Sequence, residues 1–123
     1  DLVETCNRKV PPGDIKERLV GGDFVVSWAN VAVRTSVLRK VKQIFGHYVD
    51  PSLDACEDFH ANSRIARVAD FVFRGAGGEA HEAIWRVNPI GASADETKTS
   101  NEVEMTRGLI RKDAETWTAR GLK

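Results

Sequence analysis

The stretch from Ile65 to Val87 decides the fold class of this chain, because it supports two periodicities at once. Ile65, Val68, Ala69, Val72 and Phe73 recur at helical spacing, whereas Ala69, Phe71 and Phe73 alternate with Val68, Asp70, Val72 and Arg74 as a strand does. After Gly75-Ala76-Gly77-Gly78, the residues His81, Ala83, Trp85 and Val87 alternate against Glu82, Ile84 and Arg86. Two alternating runs about a glycine-rich turn read as a β-hairpin. An isolated hairpin is marginal in water, so a third segment must join or cover it. The apolar run from Asp23 to Val33, carrying Phe24, Val25, Val26, Trp28, Val31 and Val33, suits that place. The expected fold is therefore α+β. A small antiparallel sheet from residues 24–33, 67–74 and 80–87 packs against three or four helices. An all-helical bundle is the alternative, and it follows if the helical period wins between Ile65 and Phe73.

The helices carry clearer punctuation. Asp14 to Val20 reads as a short helix that Gly21-Gly22 stops, with Ile15 and Leu19 four apart on one face. Thr35 to Phe45 reads as an amphipathic helix with Val37, Val41, Ile44 and Phe45 inward, ended by Gly46. Asp50-Pro51 has the form of an N-cap followed by proline, which predicts a helix over 51–61 with Leu53, Cys56 and His60 on one face. Thr99 with Glu102, and Asn101 with Glu104, are capping boxes for a last helix over 102–119. Residues 1–12 read as an N-terminal arm. Residues 13–123 read as one compact domain with a flexible loop at 88–100, where Pro89, Gly91, Ser93 and Asp95 gather.

Charge is balanced overall, 18 basic against 18 acidic residues, which argues against wholesale nucleic-acid binding. It is segregated locally. Phe24 to Val49 contains no acid but holds Arg34, Arg39, Lys40 and Lys42, whereas Gln43 to Ser63 contains no Lys or Arg but holds Asp50, Asp54, Glu57 and Asp58. Either the two sets solvate and pair with each other, or Arg34, Arg39, Lys40 and Lys42 form a patch for an acidic partner. No apolar run is long enough to cross a membrane.

Cys6 and Cys56 are the only cysteines. An even count and a chain opening on Asp1 rather than Met suggest a processed, secreted protein with a Cys6–Cys56 disulfide. Two reduced thiols in a cytoplasmic protein are the competing reading. Neither cysteine has the spacing of a zinc site, and no cofactor motif is present. The glycines at 75–78 lack the Gly-Lys-Ser/Thr ending of a phosphate loop, and there is no Gly-x-Ser-x-Gly or His-Glu-x-x-His.

Three histidines, His47, His60 and His81, supply groups that titrate near neutrality. Two of them, with Arg74 or Arg86 on a phosphate, would suit a metal-independent hydrolase or nuclease. Nothing in the sequence brings them together. The function expected is a non-enzymatic protein-interaction domain, of the kind found in secreted effectors, toxin subunits or binding proteins. It would use the basic helix 35–45. The histidine hydrolase and a structural assembly subunit, with homo-oligomerisation through the same helix, are the alternatives.

Overall fold

The computed structural model describes residues 3–5, 8–10, 15–22, 31–72 and 96–122. A short antiparallel hairpin comes first, β1 (Val3–Thr5) and β2 (Arg8–Val10), with Val3 opposite Val10. Four helices follow: α1 (Ile15–Val20), α2 (Thr35–Phe45), α3 (Glu57–Val68) and α4 (Glu96–Ala119). Helix α3 is the centre, and α1, α2 and α4 all pack on it.

Among the described residues the fold is helical apart from the short N-terminal hairpin, which corrects the α+β expectation. Helix α3 runs on through Val68, so Arg67 and Val68 of the expected strand 67–74 close a helix instead. Ala69 leaves that helix in an extended conformation, and Val72 is 91% exposed. Residues 31–33 of the expected first strand are neither strand nor helix. The rest of 24–33, residues 73 and 74, the strand at 80–87 and residues 88–95 of the loop expected at 88–100 lie outside the described residues, while 96–100 of that loop are the first turns of α4. The physical reason is the burial of α3. The helical period from Phe59 to Ala66 places the chain among three neighbouring helices, and that contact outweighs the short-range alternation that follows it.

Helix α2 has the bounds its apolar period predicts. Gly46 ends it in the left-handed region at φ 88°, where its N–H bonds the Lys42 carbonyl. Val41 is fully buried, and Val37, Ile44 and Phe45 are half-buried beside it. Helix α1 is six residues long, too short to persist alone. Ile15 and Leu19 hold it, joining Ala66 in one apolar cluster covered by Val20 and Phe71. A second cluster unites Cys56, Phe59 and Ile110 under Val103.

The expected helix over 51–61 starts late, at Glu57. Asp50 spends its carboxylate on a local turn, accepting hydrogen bonds from the Ser52 N–H at 2.9 Å and from the Ser52 hydroxyl. Leu53 N–H then bonds the Asp50 carbonyl at 3.1 Å. The chain reaches α3 with the Asp54 and Ala55 N–H groups free of helix partners. Both donate to one carboxylate oxygen of Glu102, at 2.7 and 2.9 Å. The Thr99–Glu102 spacing predicts that Glu102 caps its own helix. Because α4 starts more than a turn earlier, at Glu96, it lies mid-helix and caps the approach to α3 instead. Glu102→Ala should therefore lower unfolding free energy by about 1–3 kcal/mol, the cost of stranding part-buried donors. Glu102→Gln, which keeps an acceptor oxygen, should lose less. Urea denaturation of the two variants checks this, and equal losses would assign the effect to packing rather than to the cap.

Among the described residues no helix is long and apolar enough to cross a membrane.

Candidate functional site

Two arrangements of charged side chains stand out, one sealed inside and one on the surface. The sealed one begins with the sequence of α3. Its buried run from Phe59 to Ala66 includes His60, Asn62, Ser63 and Arg64, polar groups that must find partners inside the protein. Helix α4 meets them with a stripe at helical spacing: Glu102, Thr106, Ile110 and Asp113 are its buried residues. Asp113 is the junction. Its Oδ2 lies 2.8 Å from His60 Nε2 and accepts from Arg64 Nε at 2.8 Å, while its Oδ1 accepts from Arg64 Nη2 at 3.2 Å. This is the two-pronged guanidinium–carboxylate geometry, which fixes orientation as well as adding energy. Arg64 Nη1 donates to the His47 carbonyl at 2.9 Å, and the guanidinium stacks over the Phe45 ring at 5.0 Å. One arginine thus ties α3 to α4 and to the C-terminal end of α2.

Burial pushes the Asp113 carboxyl up, but the hydrogen bonds from His60 and Arg64, with their charges, outweigh it and hold the carboxyl below its ordinary value of 3.8. His60 is 0% exposed, and its Nδ1 has no hydrogen-bond partner among the described residues. A group so enclosed cannot exchange protons with a substrate at the surface without opening of the α3–α4 contact. His47 is exposed and, among the described residues, takes part through its backbone carbonyl. His81, Arg74 and Arg86 lie outside the described residues. Among the described residues no three His, Cys, Asp or Glu side chains converge to hold a metal ion.

Cys56 stands at the start of α3, buried against Phe59 and Ile110, and carries a free thiol. The Cys6–Cys56 disulfide expected from the even cysteine count is therefore not formed, and Cys6 lies outside the described residues. The reason is location: Cys56 is packed into the α3–α4 seam. Burial, with the negative charge of Glu102, pushes the thiol up, which makes it unreactive as well as hidden. With the disulfide goes the physical argument for a secreted effector or toxin.

The surface arrangement is the outer side of α2. Arg34, at the N-cap of α2, and Arg39, Lys40 and Lys42, on the helix itself, are all exposed, with Arg39 opposite the side that buries Val41. Lys42 lies 5.6 Å from the centre of the Tyr48 ring. Among the described residues Arg34, Arg39 and Lys40 have no ion-pair or hydrogen-bond partner. The acids that follow them in sequence are engaged elsewhere: Asp50 with Ser52, and Asp54 with Lys98 at 2.8 Å. Among the described residues no ion pair joins Arg34, Arg39, Lys40 or Lys42 to these acids.

The concentration of basic residues between Arg34 and Lys42 is legible in the sequence, because they lie close together in the chain. The pairing of Arg64 with Asp113 is not, since neither carries a local signal; only the polar cluster His60-Ala61-Asn62-Ser63-Arg64 inside a helical period could have hinted at a paired interior. Comparison of the chain with protein-family models, with curated proteins and with solved structures finds no match.

Proposed function

We propose that this protein is a non-catalytic interaction domain that engages an acidic segment of a partner protein through the outer face of α2. The observation that carries the reading is the set Arg34, Arg39 and Lys40, exposed and without ionic partners among the described residues. Arg39 and Lys40 project from a helix anchored by Val41 and held in place by Gly46 and Arg64, and Arg34 stands at its N-cap. Zero formal net charge favours a local, complementary contact over the broad positive field of a nucleic-acid binder. A histidine hydrolase has less support, since His60 is enclosed.

The test is fluorescence anisotropy with a labelled poly-glutamate peptide, for the wild type and for Arg39→Glu/Lys40→Glu/Lys42→Glu. The variant alters exposed side chains only, and circular dichroism verifies its fold. Binding should weaken by about tenfold or more in the variant, and likewise between about 50 mM and 300 mM salt as exposed charges are screened. Equal binding by the variant overturns the reading. So does tighter, salt-sensitive binding of duplex DNA, RNA or anionic vesicles than of the peptide.

A further inference from the structure

A second basic feature lies away from α2, in a groove of ≈ 240 Å³ between the end of α1, the last turn of α3 and the middle of α4. Arg107 and Arg111 are four apart on α4 and so share a face, and Arg67 faces them from α3. The floor between the guanidinium groups is apolar, made by Ile110, Ala114 and Val20. Gly22 closes the α1 side in the left-handed region at φ 86°, a conformation that keeps a side chain out of the groove.

The charges in this groove are poorly matched. Arg107 pairs with Glu104 at 2.9 Å. Arg67 is half-buried, and the Trp117 ring lies 6.0 Å from its guanidinium carbon. That ring contact uses none of its five N–H donors, and none of them makes a hydrogen bond to another described residue. Arg111 is exposed and makes no hydrogen bond to another described residue. The helix ends at the rim already spend carbonyls on backbone donors: Glu17 on Gly21, Leu19 on Gly22, and Ile65 on Ala69. Burial disfavours the charge of Arg67, and the nearby Asp113 offsets this only in part.

We propose that the groove binds a small organic oxyanion, a carboxylate or phosphate monoester, with its charged end between Arg67 and Arg111 and its short apolar body on Ile110 and Val20. Guanidinium forks match the paired oxygens of either headgroup. The volume is below the range typical of drug-sized ligands, so the body is a few carbons long. This site shares no residue with the outer face of α2.

The experiment follows the arginine Nε–H signals of the full chain by NMR, with calorimetry, during titration with butyrate, butyl phosphate, inorganic phosphate and sodium chloride at matched ionic strength. Saturable shifts at Arg67 and Arg111 are expected with both organic anions. Butyl phosphate should bind roughly tenfold tighter than inorganic phosphate, the worth of about two buried methylenes. Comparison of butyrate with butyl phosphate identifies the preferred headgroup. Arg67→Gln and Arg111→Gln should each weaken binding about tenfold, Arg67→Lys by less, and Arg39→Glu/Lys40→Glu/Lys42→Glu not at all. Shifts that sodium chloride reproduces, unchanged binding in both Gln variants, or equal affinity for the two phosphates would overturn the assignment. Loss of binding in the α2 variant would overturn it too, without bearing on the poly-glutamate result.

Discussion

Asp113→Ala lowers the unfolding free energy by about 3–5 kcal/mol, the usual cost of removing one member of a buried charged pair. The substitution leaves Arg64 and His60 enclosed with no carboxylate, although Arg64 keeps its bond to the His47 carbonyl. For a domain whose whole stability is of order 5–15 kcal/mol, that approaches unfolding. The loss comes from stranding charge, so it should not equal the net worth of the pair. Arg64→Met/Asp113→Leu should therefore lose less than Asp113→Ala alone. Urea denaturation of the wild type and the variants decides this. A double variant worse than the single would mean that the network stabilises the fold beyond its own desolvation.

The same carboxylate gives a pH signature. Its folded pKa lies below the ordinary 3.8, so the folded state binds the proton less readily than the unfolded chain. Its contribution is fully present above the unfolded value and is lost as pH falls through the folded one. The stability gap between wild type and Asp113→Ala should thus be constant at neutral pH and narrow below about pH 4. A gap that persists unchanged into strong acid would remove Asp113 ionisation from the account.

Leu19→Ala is the second large effect. Leu19 is 0% exposed and shares its cluster with Ile15 and Ala66. A buried Leu→Ala change costs about 2.7–5 kcal/mol, more where the cavity cannot collapse. Here the element itself is at stake. Helix α1 has six residues and no stability of its own, so losing half of its apolar anchor should release it from α3. Hydrogen exchange should show α1 amides losing protection first, with α3 and α4 retaining theirs. Uniform loss across all helices would instead make α1 an integral part of one cooperative unit.

Helix α2 was legible residue by residue, since its apolar period, its basic opposite face and its glycine stop all lie within the segment. The two anchors of α1 were legible for the same reason. Helix α3 was not. Asp50-Pro51 offers a well-formed start, but the Asp50 carboxylate closes on Ser52, and the N–H groups that need capping find Glu102, some 48 residues away in sequence. Nor could the polar content of α3 be read as interior. Its composition is that of a surface helix until Asp113 appears opposite, 53 residues from His60 and 49 from Arg64.

The sequence by itself determined which segments could be helical and where the positive charge is concentrated, because propensity, period and local composition act over a few residues. Tertiary structure decided that the fold is helical, that Cys56 is a packed thiol rather than half of a disulfide, and that His60 belongs to the interior. Those outcomes depend on which helix faces which. A buried charge is tolerable only opposite its partner, and the partner's position is set by packing over tens of residues rather than by any neighbour in the chain.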